Sequence, residues 1–319
     1  MLKYTAKRLA LIIPIAFLVS ILVFLVIKMI PGDPIRIMFG KNATAEQVEY
    51  VRTLWGLDKP LLEQYTSWIG NLFQGNWGVS IQSGEPVFDM IMERMPRTLA
   101  LCVSGILVAL VIAIPSGIIC AKHHNSGLDL GITVMNLTFI SIPGFWMGLI
   151  LMMIFCVGLG WLPTSGYVDP SVDFWEWLRC MILPSVTTAA TFFASLSRLM
   201  RSSMLEVMEQ DYISLARIKG NNERRVLYIH ALRNSLIPLV TNIGLQMGYL
   251  MGGVVVIEKV FAYPGLGLLL IKSIDQRDYP LIQGILLVFA CIIVVINLVT
   301  DLMYMVIDPK IRFGHKKSN

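Results

Sequence analysis

Six long apolar runs constrain this chain more than any other feature of its sequence. A helix rises about 1.5 Å per residue, so about 20 apolar residues cross the roughly 30 Å hydrocarbon core of a bilayer. Hydrophobic residues make up 55% of the 319 residues and charged residues only 15%, which excludes a soluble domain or a secreted disulfide scaffold. We therefore predict an all-α polytopic membrane protein with six transmembrane helices. The runs lie near Leu9–Ile30, Thr98–Ala121, Gly131–Leu159, Met181–Ser197, Leu236–Ile257 and Leu281–Ile307.

The basic residues predict how these runs are oriented. With the N-terminus inside, 15 Lys and Arg fall among 67 residues in the inner segments, which are 1–8, 122–130, 198–235 and 308–319. The short outer loops 160–180 and 258–280 hold 4 in 44 residues. Cytoplasmic loops of membrane proteins carry the excess of Lys and Arg. We therefore expect a multi-pass chain with both termini in the cytoplasm.

The spacing of the runs divides the chain into four regions. They are the N-terminus with the first transmembrane helix (1–30), an extracytoplasmic insert (31–97), a five-helix core (98–307) and a cytoplasmic tail (308–319). The core includes a long basic loop at 198–235, which is predicted to be cytoplasmic.

The insert is long enough to fold on itself. Its Thr44-Ala45-Glu46-Gln47 sequence matches a capping box ahead of the amphipathic run Val48–Leu57. Pro60 suits the first position of a second helix through Phe73, and Pro86 that of a third. We predict a helical insert, with a loosely ordered loop as the alternative. Glycines punctuate the stretch before the third helix: Gly75, Gly78 and Gly84.

Few titratable side chains fall inside the apolar runs. Lys28 lies near the end of the first run, and Asp301 lies in the last turns of the sixth. Proton-driven transporters need buried carboxylates or histidines near the middle of the membrane, so this pattern disfavours a secondary transporter. The chain also lacks a G-x-x-x-x-G-K-[ST] sequence and is not expected to bind nucleotide phosphates itself. Uphill transport would require another chain that hydrolyses the nucleotide.

No metal, cofactor or catalytic site is indicated. The five cysteines form no C-x-x-C pair, and the adjacent His123 and His124 are a poor ligand set. A membrane-embedded hydrolase would need a buried nucleophile and base, but the histidines all fall in predicted cytoplasmic segments. They are His123, His124, His230 and His315.

The fourth and fifth runs carry polar and small residues at helical spacing. In the fifth, three glycines form a small-x-x-x-small ladder that predicts close helix packing. Asn242 and Gln246 lie about 200° around the same helix from that ladder and are candidates to line a path, as is Thr188 in the fourth run. Hydrogen bonding within the helix bundle is the alternative for each. The ladder consists of Gly244, Gly248 and Gly252, and Pro115 and Pro143 are expected to kink the runs that hold them.

The loop at 198–235 is polar and basic yet patterned as two short helices. Asp211 is a plausible N-cap, and the face shared by Ile213, Ala216 and Arg217 follows it. Gly220 suits the left-handed residue that ends such a helix. Asn221 or Asn222 then caps the next helix. This helix–Gly–helix elbow would present a rigid surface to a partner, whereas a solvated basic loop near anionic lipid is the alternative.

The motif Asp211-Tyr212-Ile213-x-x-Ala216-Arg217-x-Lys219-Gly220 resembles the coupling ("EAA") loop of ABC-importer permeases. Its form is similar to that of the dipeptide, oligopeptide and nickel permeases, with Asp211 where the general motif has Glu. Further pieces agree in the same order along the chain: Pro31-Gly32-Asp33-Pro34, Ser141-Ile142-Pro143, Leu162-Pro163, Tyr263-Pro264-Gly265-Leu266-Gly267, Arg277-Asp278-Tyr279-Pro280 and Asp308-Pro309-Lys310-Ile311-Arg312.

The resemblance implies a type I ABC importer (MetI-like) permease fold, in the first of two permease subunits of a bacterial inner (plasma) membrane system. It implies a second permease, two ATP-binding subunits that use ATP and Mg²⁺, and an extracytoplasmic solute-binding protein. Membrane lipid surrounds the chain, and no nucleic acid, bound cofactor or enzymatic activity is expected. The implied ATPase-coupling residues are Asp211, Tyr212, Ala216, Arg217, Lys219 and Gly220.

The substrate is not fixed by these motifs, since peptide and nickel permeases share them. Di- or oligopeptides are favoured, and nickel or a metal chelate is the alternative within the same architecture. A passive channel or a structural membrane subunit is the alternative from another class. It would leave the helix–Gly–helix loop unexplained.

Overall fold

A computed structural model describes residues 2–29, 44–54 and 56–307. The motifs Pro31–Pro34 and Asp308–Arg312 lie outside these residues, as do the side chains of Gln47 and Asp301. The described part is helical, and its helices are α1 (Leu2–Met29), α2 (Ala45–Leu54), α3 (Leu61–Phe73), α4 (Val87–Lys122), α5 (Gly127–Ser141), α6 (Gly144–Gly158), α7 (Phe174–Ala190), α8 (Phe193–Met208), α9 (Asp211–Ile218), α10 (Glu223–Val260), α11 (Leu266–Gln276) and α12 (Tyr279–Ile307).

Four of these helices are long and apolar enough to cross a membrane: α1, α4, α10 and α12. Two pairs of shorter helices pass the same test together, and each pair is bent. The angle is 102° between α5 and α6 and 54° between α7 and α8. With each bent pair taken as one span, the described residues provide up to six, which accommodates the predicted number.

The kink predicted at Pro143 in the third span is therefore confirmed as a sharp bend, whereas the fourth predicted span is wrong as a single unbent helix. The first break falls at Ile142-Pro143, where proline removes a backbone donor and clashes with the preceding turn. The second falls at Thr191-Phe192, where the Thr191 hydroxyl donates to the carbonyl of Thr188 at 2.7 Å and competes with the helical pattern. By contrast, α4 continues through Pro115 without interruption.

Two predicted helix starts in the insert are confirmed to within one residue. Helix α2 begins directly after Thr44, whose carbonyl accepts from the Val48 amide at 3.1 Å. Helix α3 begins after Pro60, which has φ −55°. The three predicted turn glycines all have positive φ, between 73° and 85°.

The third predicted helix of the insert is not separate. It is the start of α4, which runs without a break from Val87 to Lys122. Val87 and Ile91 are fully buried, and a Cβ on Gly284 of α12 would lie 2.7 Å from Val87 Cγ1. The apolar side of the helix thus continues from the insert into the span, so nothing ends the helix between them.

The chain divides into two compact units. One comprises Leu99–Tyr263 with the end of α12 from Ile296, and the other comprises Leu2–Thr98 with Pro264–Val295. The second unit holds α1, the insert, α11 and the first part of α12. The first unit holds both bent pairs, the loop at 198–235 and α10.

Matched hydroxyl pairs join α4 to the bent α7–α8 span in the first unit. The Ser104 and Ser185 hydroxyls are 2.8 Å apart, and so are those of Ser116 and Ser197. Both pairs have the same sequence separation of 81 residues, so the two segments run parallel and in register. Glycine permits this approach, because a Cβ on Gly105 would lie 2.4 Å from Cγ2 of Thr188.

Candidate functional site

The predicted coupling loop contains a short helix, α9, that begins at Asp211. The prediction that Asp211 is the N-cap is wrong, because Gln210 occupies that position in an extended conformation. Asp211 is instead the first helical residue. Its carboxylate still lies at the positive end of the helix dipole, where a negative charge is stabilising.

Gly220 ends α9 in the conformation that the sequence predicted. Its φ is +81°. The Gly220 amide donates to the carbonyl of Arg217 at 2.9 Å, and the Asn221 amide donates to that of Ala216 at 3.3 Å. This pair of bonds is the Schellman arrangement, which satisfies the last carbonyls of a helix and requires a left-handed residue. A Cβ on Gly220 would meet no described atom within 4 Å, so within the described part of the chain only the backbone conformation restricts this residue.

One face of α9 packs inward and the other is exposed. Ile213 is fully buried and Ala216 is 7% exposed, so Ala216 acts through packing rather than as an exposed contact. On the outer side, Leu215 is 56% and Ile218 is 81% exposed. Asp211, Arg217 and Lys219 are also exposed. The helix therefore presents a surface with an apolar centre and charged neighbours.

Side-chain contacts fix α9 against the next helix. The amide of Asn234 donates to the Tyr212 hydroxyl at 2.7 Å. Arg217 Nε donates to Glu223 Oε1 at 2.9 Å, across the turn that holds Gly220. Of the two predicted caps, Asn221 and Asn222, it is Asn222 whose side chain accepts from the Arg225 amide at 2.8 Å. These contacts make α9 and the start of α10 one elbow.

The elbow connects directly to the spans. Helix α10 passes through a π-helical turn at Val226–Ala231 and continues as a spanning helix. In the turn after this segment, the Ser235 hydroxyl donates to the carbonyls of Ala231 at 2.9 Å and of Ser203 in α8 at 3.3 Å. A displacement of α9 would therefore be passed to both α8 and α10.

An ion pair that the sequence analysis missed connects the first turn of α5 with α8. Arg201 donates to Asp129 from Nε at 2.7 Å and from Nη2 at 2.6 Å. Asp129 is buried and also accepts from the Asn125 amide at 3.1 Å. His124 Nδ1 lies 3.1 Å from the Nη2 of Arg201. The bidentate pair joins the start of α5 to α8, the helix that leads into α9.

The predicted path residues are only partly brought together. Thr188 and Gln246 line one small cavity of about 170 Å³, together with Thr191 and Tyr249. Thr188 is 1% exposed and donates to the carbonyl of Pro184 at 2.8 Å, whereas Gln246 donates to the Ser195 hydroxyl at 3.3 Å. Asn242, one turn from Gln246, is half-buried and does not line this cavity.

Both helix breaks lie beside this cavity. A Cβ on Gly144, which begins α6 after the first break, would lie 2.6 Å from Cγ2 of Thr191 at the second break. Thr191 also lines the cavity. Interrupted helices at membrane depth are tolerated where they are buried in protein or line a cavity, and they commonly mark substrate sites in transporters. The helix breaks are therefore a better indication of where a path would lie than the polar residues are.

Among the described residues, the glycine ladder makes a close contact at Gly244. A Cβ on Gly244 would lie 2.0 Å from Cγ2 of Thr300 in α12, so this approach requires glycine. At Gly248 and Gly252 a Cβ would meet no described atom within 4 Å, so close helix packing at these two positions stays a prediction. The neighbouring Tyr249 is 81% exposed. This side of α10 faces away from the described part of the chain.

A buried carboxylate was also missed. Helix α10 extends to Val260, beyond the predicted end of the run at Ile257, and thereby includes Glu258. Glu258 is fully buried. It lies two residues before the end of α10, so it does not contradict the expectation, which concerned carboxylates and histidines near the middle of the membrane.

Two comparisons place the chain among known proteins. Residues 113–313 match the binding-protein-dependent transport system inner membrane component, and residues 1–102 match the N-terminal region of such membrane components. The chain is 41% identical over 316 residues to the oligopeptide transport system permease protein AppB of Bacillus subtilis strain 168, covering 98% of this chain and 100% of that protein. It is 44% identical over 313 residues to the glutathione transport system permease protein GsiC of Escherichia coli K12, with the same coverage of 98% and 100%.

Proposed function

Because the chain belongs to the family of binding-protein-dependent transport system inner-membrane components, which are permeases of ABC importers, we propose that it carries di- or oligopeptides. In this proposal it is one of two permease subunits that together form the path. Two separate ATP-binding subunits hydrolyse ATP with Mg²⁺, and an extracytoplasmic solute-binding protein delivers the peptide to the side that carries the insert.

The observation that carries the proposal is the elbow formed by α9 and the start of α10. A short helix with a buried inner face, an exposed apolar outer face and a glycine-specified end is suited to docking in a partner's groove. The hydrogen bonds of Ser235 connect this elbow to two spanning segments. Asp211, Tyr212, Arg217 and Lys219 are proposed as its contacts with an ATP-binding subunit, whereas Ala216 and Gly220 set its shape.

Peptide as the substrate is supported by the relatives and by the chemistry beside the breaks. The two related permeases are named for transport of oligopeptides and of glutathione, itself a small peptide. None of the described residues that line the cavity is charged, and Thr188, Thr191 and Gln246 offer hydroxyl and amide groups. Such groups hydrogen-bond to peptide bonds of any sequence, and they make a poor site for a bare metal ion.

Orientation completes the proposal. The seven Lys and Arg in segment 198–235 support a cytoplasmic position for α9, where ATP is present. The insert at 31–97 then lies outside and is proposed as a docking or gating surface for the solute-binding protein.

Uptake into sealed vesicles tests the function. Proteoliposomes that contain the whole transporter, with the binding protein outside and ATP inside, should accumulate labelled di- or tripeptides against a gradient. Uptake of nickel chelate in place of peptide would reassign the substrate. Equilibration without ATP would instead support a passive channel.

A further inference from the structure

A cavity of about 990 Å³ lies in the second unit, between the end of α1, the insert and the start of α12. Three basic residues line it: Lys28, Arg52 and Lys59. None of its described lining residues is acidic. A cavity with this charge attracts an anionic group.

The cavity extends to a depth at which the membrane-spanning helix α1 forms one of its walls. Phe24 of α1 lines it, and Trp68 of α3 lies beside that ring with their centroids 6.1 Å apart. One turn deeper, the hydroxyls of Ser20 and Tyr65 are 2.7 Å apart. Ser20 precedes the end of α1 by nine residues, or about 14 Å of helix rise. Part of α3 therefore lies at the depth of the hydrocarbon that surrounds α1.

The exposed side of α3 has the character of a membrane-surface helix. Leu61 is 54%, Leu62 is 74% and Phe73 is 89% exposed. A helix that leaves such residues uncovered while its other face contacts a spanning helix is suited to the boundary between headgroups and acyl chains. The cavity thus opens among lipid headgroups and not only toward water.

Two polar groups are positioned to bind an anion. The Lys28 ammonium has three donors, one of which goes to Gln64 Oε1 at 2.5 Å. Tyr279 lines the cavity and is 7% exposed, and its hydroxyl is buried without a hydrogen-bond partner among the described residues. A buried hydroxyl is normally paired, so an orphaned one beside a basic cavity points to an absent acceptor.

We propose that this cavity binds the headgroup of an anionic phospholipid from the leaflet on the side of the insert. The phosphate binds Lys28, Lys59 and the hydroxyl of Tyr279, and an acyl chain lies along α1 beside Phe24. A free peptide or inorganic phosphate would pair with the basic residues, but it would have no acyl chain to cover the apolar wall of the cavity. The bound lipid would hold the insert to the membrane surface, whichever solute is carried.

Binding of defined lipids to the purified, delipidated transporter tests this proposal. Native mass spectrometry should show phosphatidylglycerol retained in preference to phosphatidylcholine. The double substitution Lys28→Gln/Lys59→Gln should weaken phosphatidylglycerol binding at least about tenfold, since each lost bond to a charged group is worth roughly that factor. The control Arg179→Gln/Lys272→Gln removes the same charge from exposed positions that do not line the cavity and should change binding less than about twofold.

Tyr279→Phe separates ligand binding from folding. It removes a hydroxyl that has no described partner, so a purely structural role predicts unchanged or increased thermal stability with unchanged lipid retention. We expect unchanged stability with about threefold or greater loss of phosphatidylglycerol. Equal retention of the two lipids, or displacement of phosphatidylglycerol by inorganic phosphate or by a short acidic peptide, would overturn the lipid assignment.

Discussion

The Ser80 hydroxyl donates a hydrogen bond of 2.5 Å to the carboxylate of Asp278, a residue 198 positions later in the chain. Both residues are almost fully buried. The same carboxylate accepts from the amides of Ile81 at 3.2 Å and Leu281 at 3.4 Å. It therefore caps the start of α12 and holds the turn of the insert against that helix. This explains chemically why an aspartate stands before Tyr279-Pro280.

We expect Asp278→Ala to loosen the insert without preventing assembly. Three hydrogen bonds to a buried carboxylate are lost, which lowers the local stability of the insert by on the order of 3 kcal/mol. Amide hydrogen exchange in residues 74–86 should accelerate about tenfold or more, and stimulation of ATP hydrolysis by the binding protein should fall. Asp275→Ala removes an exposed carboxylate from the preceding turn and serves as the control. Unchanged exchange in the Asp278 variant would refute the tether.

Gly220→Val should separate assembly from transport. A β-branched residue at φ +81° costs roughly 1–2 kcal/mol, which is too little to unfold the bundle but enough to re-aim α9. We expect normal insertion and pairing, with loss of substrate-stimulated ATP hydrolysis and import. Gly220→Asn should retain more activity, because asparagine tolerates the left-handed region. Gly127→Val, at a helical glycine with open space around it, is the control. Normal import with valine at position 220 would show that coupling does not depend on the elbow's shape.

Gly244→Ala should destabilise the protein, whereas Gly248→Ala should not. The added methyl at Gly244 meets Thr300 at 2.0 Å, and overpacking of this kind costs about 1–3 kcal/mol. Gly248 has open space. Thermal unfolding in detergent measures the difference. The second substitution Thr300→Ala should recover part of the loss in Gly244→Ala, and additive losses would argue against direct contact.

Asp129→Ala should lower the free energy of unfolding by roughly 3 kcal/mol, because it leaves the partly buried Arg201 without its carboxylate partner. The double substitution Asp129→Ala/Arg201→Met removes both charges and should be less destabilising than Asp129→Ala alone. Thermal unfolding of the single and double variants supplies the comparison. If the two losses simply add, the pair does not join α5 to α8.

Thiol labelling tests the proposed orientation in a background without the native cysteines. Cysteine at Ser171 should react with an impermeant reagent in sealed cells, whereas cysteine at Arg224 should react only after the membrane is opened. Both positions are exposed in the protein, so accessibility depends on the membrane and not on packing. Labelling of position 224 in sealed cells would reverse the assignment of sides.

The features predicted correctly from sequence are those specified by a few consecutive residues. Gly220 requires a left-handed turn, Asn222 caps the helix that follows it, and Pro60 marks a helix start. The predicted likeness to importer permeases of the peptide class, which depends on motif order, is confirmed. The roles assigned to the coupling and path residues remain predictions.

The features that were missed depend on distant partners. Asp129 and Arg201 are 72 residues apart, and nothing local in either segment specifies the other. The break at Thr191 falls inside an apolar run that composition alone reads as continuous, whereas the proline at position 143 predicted a kink in its run. Gly248 resembles Gly244 in sequence, yet only Gly244 faces Thr300. Periodicity identifies a face of a helix but not whether this chain covers it.

The two hydroxyl pairs on α4 have a mechanical consequence for the bent span beside the cavity. Ser185 lies before the bend at Thr191-Phe192 and Ser197 lies after it, yet both bond to the one uninterrupted helix α4. Their partners are twelve residues apart, or about 18 Å along α4. The bend is therefore braced on both arms and cannot straighten without breaking one pair. We expect the bent span to move together with α4 as one rigid unit. A passage would then widen where this unit separates from a neighbouring helix, and not through straightening of the bend.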